Sequence, residues 1–186
     1  KVEQRRGGTG DDLVTALVNA EPGGMKLGVD DLVHETMLIL VGGDETTRHV
    51  MSGGLDALLR NPEQLDALRA DRSLLPAAIE EMLRWVTPVR NMNRTATCDV
   101  QVGDQLVREG ERMLLLYLSG NRDEAVFDDP MRFDIRRSPN PHVAFGAYGH
   151  HFCLGAQLAR LEMTVLFEAV LDRLHDLRFA DPDAAP

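Results

Sequence analysis

Apolar residues recur with a helical period over more than one stretch of this chain, and Gly and Pro punctuate the rest. Residues 1–10 are charged and Gly-rich and read as a loop, and Asp11–Ala20 is a short, mildly amphipathic helix before the turn Glu21-Pro22-Gly23-Gly24. Asp30 and Asp31 stand where a helix N-terminus favours negative charge. From there a helical pattern continues to about Arg60, roughly 45 Å if unbroken. Asn61-Pro62-Glu63-Gln64 reads as a fresh start, with Asn as N-cap, Pro at the first helical position and Gln at the third. Another helix opens near Pro76, carries Ala77–Trp85 and stops before Thr87-Pro88.

Beyond Pro88 the pattern changes. Arg94–Val107 mixes β-branched residues with Gly103-Asp104 and predicts a short hairpin. Periodicity leaves Met113–Tyr117 open between a strand and the start of a helix. Phe127–Tyr148, with Pro130, Pro139 and Pro141, reads as a long ordered loop, and loops of that length within a domain are usually functional. A last helix over Leu154–Leu174 has apolar residues at 154, 158, 161, 165, 166, 170 and 171. The fold class is therefore mainly α with small β segments, organised as a preceding loop and short helix over 1–29 and a main body over 30–186.

Composition narrows the function. With 186 residues, 44% hydrophobic and 27% charged, the chain has globular rather than disordered or membrane character. A formal net charge of -10 disfavours nucleic acid as a partner. No apolar run approaches the ~18 residues of a membrane span. Cys98 and Cys153 are the only cysteines, which provides no disulfide framework and suits a cytoplasmic enzyme.

Three segments break local rules. Gly42-Gly43-Asp44-Glu45-Thr46-Thr47 interrupts the long helix with paired glycines that cost about 1 kcal/mol each. They serve either close helix packing or an opening beside a carboxylate and a hydroxyl, with Glu45 and Thr46 as a proton-delivery pair. Glu81 and Arg84 lie three apart on one helical face and can pair. Phe145-Gly146-Ala147-Tyr148-Gly149-His150-His151-Phe152-Cys153-Leu154-Gly155 delivers a cysteine to the start of an apolar helix, whose dipole and free amides stabilise a thiolate. An inert buried thiol is the bland alternative. A zinc site using His150, His151 and Cys153 lacks a further ligand at suitable spacing. A soft thiolate among glycines suits haem iron better.

In this order the segments resemble the cytochrome P-450 superfamily, with Gly42–Thr47 as its central-helix motif, Glu81–Arg84 as its Glu-x-x-Arg pair, and Phe145, Gly149, His151, Cys153 and Gly155 as its cysteine loop. Phe127-Asp128-Asp129-Pro130-Met131-Arg132-Phe133 matches the segment between the last two. The resemblance implies a haem-thiolate monooxygenase that inserts one oxygen atom from O2 into a C–H bond of a lipophilic substrate, with haem b as cofactor. Electrons would come from NAD(P)H through a ferredoxin reductase and a ferredoxin. It implies Cys153 as the iron ligand, and His151 and Arg94 as partners of the haem propionates. Glu81, Arg84 and Arg132 would be a structural triad, and Leu38, Gly42, Val89 and Met92 would face the substrate. Leu38–Gly54, Leu58–Met92 and Asn121–Arg137 are most similar to bacterial class I enzymes that oxidise steroid side chains at a terminal methyl.

Two departures accompany the match. Phe145 lies eight residues before Cys153, one more than the common spacing, and reads as a bulged loop with unusual Tyr148 and His150. The family's first half has no counterpart, so the chain reads as a fragment. The alternatives are a haem-thiolate peroxygenase, or a non-catalytic haem or ligand binder or inert partial product. Glu45-Thr46 favours O2 activation over peroxide chemistry.

Overall fold

A computed structural model describes residues 2–146 and 149–181, with side chains from residue 4 onward. The chain divides into two compact units, 1–45 and 46–186. The expected edge at residue 29 marks the start of a helix, and the division itself falls inside that helix.

The first unit holds α1 (Val2–Arg5), α2 (Leu13–Asn19) and the first half of α3 (Val29–Arg60). Asp12 caps α2 by accepting the Thr15 amide at 3.1 Å, which satisfies one of the orphan donors of a helix N-terminus. Asp31 accepts the Gly28 amide at 2.9 Å just ahead of α3. Val18 and Leu32 are buried in this unit, whereas Val33, Met37, Leu38 and Leu40 are exposed.

The second unit contains the rest of α3, then α4 (Pro62–Ala70), α5 (Leu75–Val86), strands β1 (Asn91–Thr95), β2 (Val100–Val102), β3 (Gln105–Val107) and β4 (Arg112–Leu116), then α6 (Tyr117–Gly120) and α7 (Ala156–Arg173). Its core joins Val50 and Leu58 of α3, Leu65 and Leu68 of α4, Ile79, Met82 and Leu83 of α5, Phe133 and Ile135 of the long loop, and Met163, Phe167 and Leu171 of α7. Each such side chain contributes about 1.5–3 kcal/mol by leaving water. Gly54 lets α5 approach α3, because a Cβ there would stand 2.8 Å from Met82 Sδ.

The predicted hairpin forms between β2 and β3, turning at Gly103 with φ of +55°. Arg94 is not part of it. It belongs to β1, which pairs antiparallel with β4, Arg94 opposite Met113. The open question at Met113–Tyr117 resolves as strand to Leu116 followed by the short α6. Residues 127–146 carry no helix or strand, as expected of an ordered loop.

Two local expectations fail. Asn61 precedes α4 but does not cap it through its side chain, which donates to the Ala57 carbonyl at 2.8 Å. Gln64, expected to help at that start, instead accepts the Ile135 amide at 3.2 Å and so ties α4 to the long loop. The last helix, expected from Leu154, begins at Ala156, and the expected apolar stripe is mostly outward. Leu154 is 98% exposed, Leu158 and Leu161 59% each and Val165 58%, while Ala156, Met163, Phe167 and Leu171 are buried. The helix is apolar on two sides, so periodicity alone cannot say which side meets the core.

Candidate functional site

The cysteine loop is built around one closure. The Cys153 amide donates to the Phe145 carbonyl at 3.0 Å, drawing the two arms of the loop together. Gly146 bonds back to Val143 at 2.9 Å with φ of +82°, and Gly149 has φ of +121° and accepts the Phe152 amide at 3.1 Å. Both backbone conformations are ones that favour glycine. The expected bulge includes Ala147 and Tyr148, which lie outside the described residues. Gly155 stands at the N-cap of α7, and the Ala156 amide bonds to the Cys153 carbonyl at 3.3 Å.

The thiol of Cys153 is exposed, not a buried inert one. Phe152 and Leu154 beside it are exposed too, at 49% and 98%, and Leu158 continues the apolar surface one turn along α7. A soft sulfur donor within an apolar surface fits haem, a flat, largely apolar group that carries its own iron. Among the described residues no group of three or more His, Cys, Asp or Glu side chains is arranged to hold a metal ion, so the zinc alternative has no ligand set there. His150 and His151 are exposed on the loop. The Arg94 guanidinium, half-buried on β1, donates to the Asn93 carbonyl at 2.9 Å.

Behind the loop lies a buried ionic hub. Glu81 and Arg84, both 0% exposed, form a two-pronged pair with both bonds at 2.7 Å. Arg84 spends its remaining donors on the carbonyls of Asn121, Pro130 and Arg132 at 2.8, 2.9 and 3.0 Å. The second guanidinium on Glu81 comes from Arg137, at 3.1 Å, and not from Arg132. Arg132 is exposed and enters the hub only through its backbone carbonyl. The reason is the turn at Asp129, where φ is +46° and the Arg132 amide bonds back to the Asp129 carbonyl at 3.0 Å, so the chain reaches Glu81 five residues later. Glu81 also accepts from the Asp134 amide at 2.8 Å and the Asn140 side chain at 3.2 Å.

Sequence reasoning missed a second cluster. Glu80 accepts Arg160 Nε at 2.6 Å and Nη2 at 2.8 Å, and its Oε2 stands 2.9 Å from His142 Nε2. Burial alone would raise the Glu80 carboxyl, but hydrogen bonds from Arg160 and His142, with the charge of Arg160, outweigh it and lower it to about 2. The Glu80-Glu81 dipeptide was the one available signal.

On α3, Gly42 and Gly43 remain inside an unbroken helix, and a Cβ at either would meet nothing within 4 Å. Close packing at these glycines is therefore absent among the described residues. Glu45 and Thr46 are half-buried, Thr47 is buried, and Leu38 and Gly42 are exposed. Met92 is exposed at 45% and Val89 is half-buried. Among the described residues no helix is long and apolar enough to cross a membrane.

Residues 3–177 match the family described as Cytochrome P450. A Steroid C26-monooxygenase of Mycobacterium tuberculosis (strain CDC 1551 / Oshkosh) is 55% identical over 98% of this chain and 49% of its own length. A Steroid C26-monooxygenase of Mycolicibacterium smegmatis is 55% identical over 100% of this chain and 46% of its own length. Among solved structures, a Mycobacterium marinum cytochrome P450 in complex with pseudoionone superposes with a TM-score of 0.89 at 46% identity, covering 95% of this chain and 43% of that one. The chain thus spans about half the length of the curated relatives it matches. With the cysteine loop, the Glu81–Arg84 pair and the mainly helical fold in place, the chain belongs to the cytochrome P450 family.

Proposed function

We propose that the protein carrying this chain is a haem-thiolate monooxygenase that places one oxygen atom from O2 into a C–H bond of a lipophilic substrate, a steroid side chain at a terminal methyl. The observation that carries this reading is the exposed Cys153 thiol, presented at the start of α7 by a loop closed through Phe145 and flanked by apolar Phe152 and Leu154. The likeness to two steroid C26-monooxygenases at 55% identity supports the choice of substrate class.

When bound, haem supplies the redox chemistry that splits O2. Cys153 would hold it as the thiolate ligand and would donate electron density to its iron. Arg94 and His151 provide cationic or hydrogen-bonding partners for the propionate carboxylates. Glu45 and Thr46 would serve as the acid and hydroxyl that pass protons along α3 to the reaction, a contribution of about 10²–10⁴-fold for a positioned acid or base. Gly42, with no side chain, leaves room there. Leu38, Val89 and Met92 offer apolar surface to the substrate and exclude water from the reacting carbon. Electrons reach the site from NAD(P)H by way of a ferredoxin reductase and a ferredoxin.

The test is the absorption spectrum of the reduced, CO-treated full-length protein. A thiolate-ligated iron gives a strongly red-shifted Soret band, and Cys153→Ser abolishes it. Retention of that band in Cys153→Ser would refute the assignment.

A further inference from the structure

Two neighbouring carboxylates on α5 serve different parts of the fold. An α-helix advances about 100° per residue, so Glu80 and Glu81 leave it in different directions. Glu81 is spent on the long loop through Arg84, Arg137, Asp134 and Asn140. Glu80 is spent on both arms of the cysteine loop.

The downstream arm is held through Arg160. Its guanidinium takes Glu80 in a fork at 2.6 and 2.8 Å and donates Nη1 to the Ala156 carbonyl at 3.3 Å, in the first turn of α7. The same guanidinium lies over the Phe145 ring at 4.6 Å. The upstream arm is held through His142. The Ala144 amide donates to His142 Nδ1 at 3.2 Å, so the ring proton sits on Nε2 and is given to Glu80 at 2.9 Å. Phe145, next along, accepts the Cys153 amide at 3.0 Å. One carboxylate thus anchors the residue before the closure, the ring beneath the cation and the helix that follows the thiol.

We propose that Glu80 is a positioning residue for Cys153, acting through Arg160 and His142 to fix the cysteine loop and to balance the positive charge beside it. The inference rests on the reading of Cys153 as the haem ligand. Residues that orient a metal ligand from behind typically change metal affinity or activity by about 10–100-fold when removed. The electrostatic half of the role follows from the ion pair itself. Arg160 is held in its charged form first by the hydrogen bond to Glu80 and, against its partial burial, by the charge of the same carboxylate. Without Glu80 the Arg160 cation is uncompensated.

The experiment uses the full-length, haem-loaded protein and the variants Glu80→Gln, Arg160→Gln and Arg160→Lys. Two readouts are followed together in increasing guanidinium: loss of the thiolate-type CO spectrum and global unfolding by far-UV circular dichroism. Glu80→Gln is expected to lose the thiolate-type band about tenfold faster than wild type at a concentration where global helicity is still retained. The midpoint potential of the iron is expected to rise in Glu80→Gln and fall in Arg160→Gln, since a cation near the iron favours the reduced state. Arg160→Lys keeps the charge and loses the fork, so the loop loosens while the potential stays near wild type. Parallel loss of spectrum and helicity in all variants, with potentials unmoved or shifted in the same direction, overturns the proposal and leaves Glu80 a strut of the fold. If Glu80→Gln does not fold, the two Arg160 variants decide by the same criteria. Failure of the underlying reading looks different, because wild type itself then shows no thiolate-type band.

Discussion

Glu81 and Arg84 meet in a double hydrogen bond with no access to solvent, and every other donor of the arginine is taken by a backbone carbonyl, from Asn121 at the end of α6 and from Pro130 and Arg132 of the long loop. Removing one partner leaves the other as an uncompensated buried charge. We expect Arg84→Ala to cost about 3–5 kcal/mol, read as a shift of the urea midpoint. Arg84→Lys is not expected to rescue it, since an ammonium cannot reproduce the fork. Arg137→Ala should cost more than Arg132→Ala, because Arg137, unlike Arg132, places its guanidinium on Glu81. The exposed Arg132 side chain should fall within about 0.5 kcal/mol of neutral.

Glu80 links the second cluster to pH. Its carboxyl lies at about 2 against an ordinary 4.5. A depressed folded-state value means the unfolded chain takes up the proton first as the medium acidifies. The stabilisation is therefore complete above about pH 4.5 and fades as pH falls toward 2. We expect Glu80→Gln to flatten the acid limb of the stability profile in that window and to leave its shape near neutrality unchanged. Thermal melts at half-unit pH intervals measure this.

Glycines on α3 should respond in opposite ways. At Gly54 a Cβ would stand 2.9 Å from Met82 Cγ and 3.1 Å from its Cβ, atoms that cannot swing aside. Gly54→Ala should therefore destabilise by about 1–3 kcal/mol through overpacking, despite better helix propensity. At Gly42 a Cβ meets nothing within 4 Å, so Gly42→Ala in residues 1–186 should stabilise α3 by about 1 kcal/mol. In the full-length enzyme the same methyl should lower the rate of product formation, since it fills the space assigned to the reaction. Helicity and turnover separate the two effects.

Thr46→Ala, in a reconstituted full-length system, should leave the CO spectrum unchanged and divert electrons from hydroxylated product to peroxide. Product formed per NAD(P)H consumed is the measure, and the expected loss of productive turnover is about 10²-fold or more. Unchanged coupling would reduce Thr46 to a packing residue of α3.

Much of this was legible in the chain itself, and the gaps have physical causes. Strong periodicity located α3 and the Ala77–Trp85 helix, and Gly103-Asp104 located the hairpin turn. Glu81 and Arg84 were found because their partner lies within one helical turn. Arg137 was missed because a turn at Asp129 decides which arginine returns to Glu81, and that turn depends on contacts distant in sequence. The Asn61 and Gln64 side chains were assigned to a helix start that could equally use backbone bonds; the last turn of α3 claimed Asn61 and the distant Ile135 amide claimed Gln64. Glu80, Arg160 and His142 escaped notice because they come from three separate segments. The buried side of α7 was misjudged for the reason its composition suggests, since both sides are apolar.

The adjacency of Glu80 and Glu81 makes α5 intolerant of slippage. Two identical letters stand side by side, yet each answers to a different set of arginines. A deletion or insertion of one uncharged residue between Pro76 and Glu80 would preserve the helix and its charge. It would nevertheless rotate both carboxylates by about 100°, detaching the long loop and the cysteine loop in a single step. For these two residues position in the helical screw, more than chemical identity, is what the fold reads.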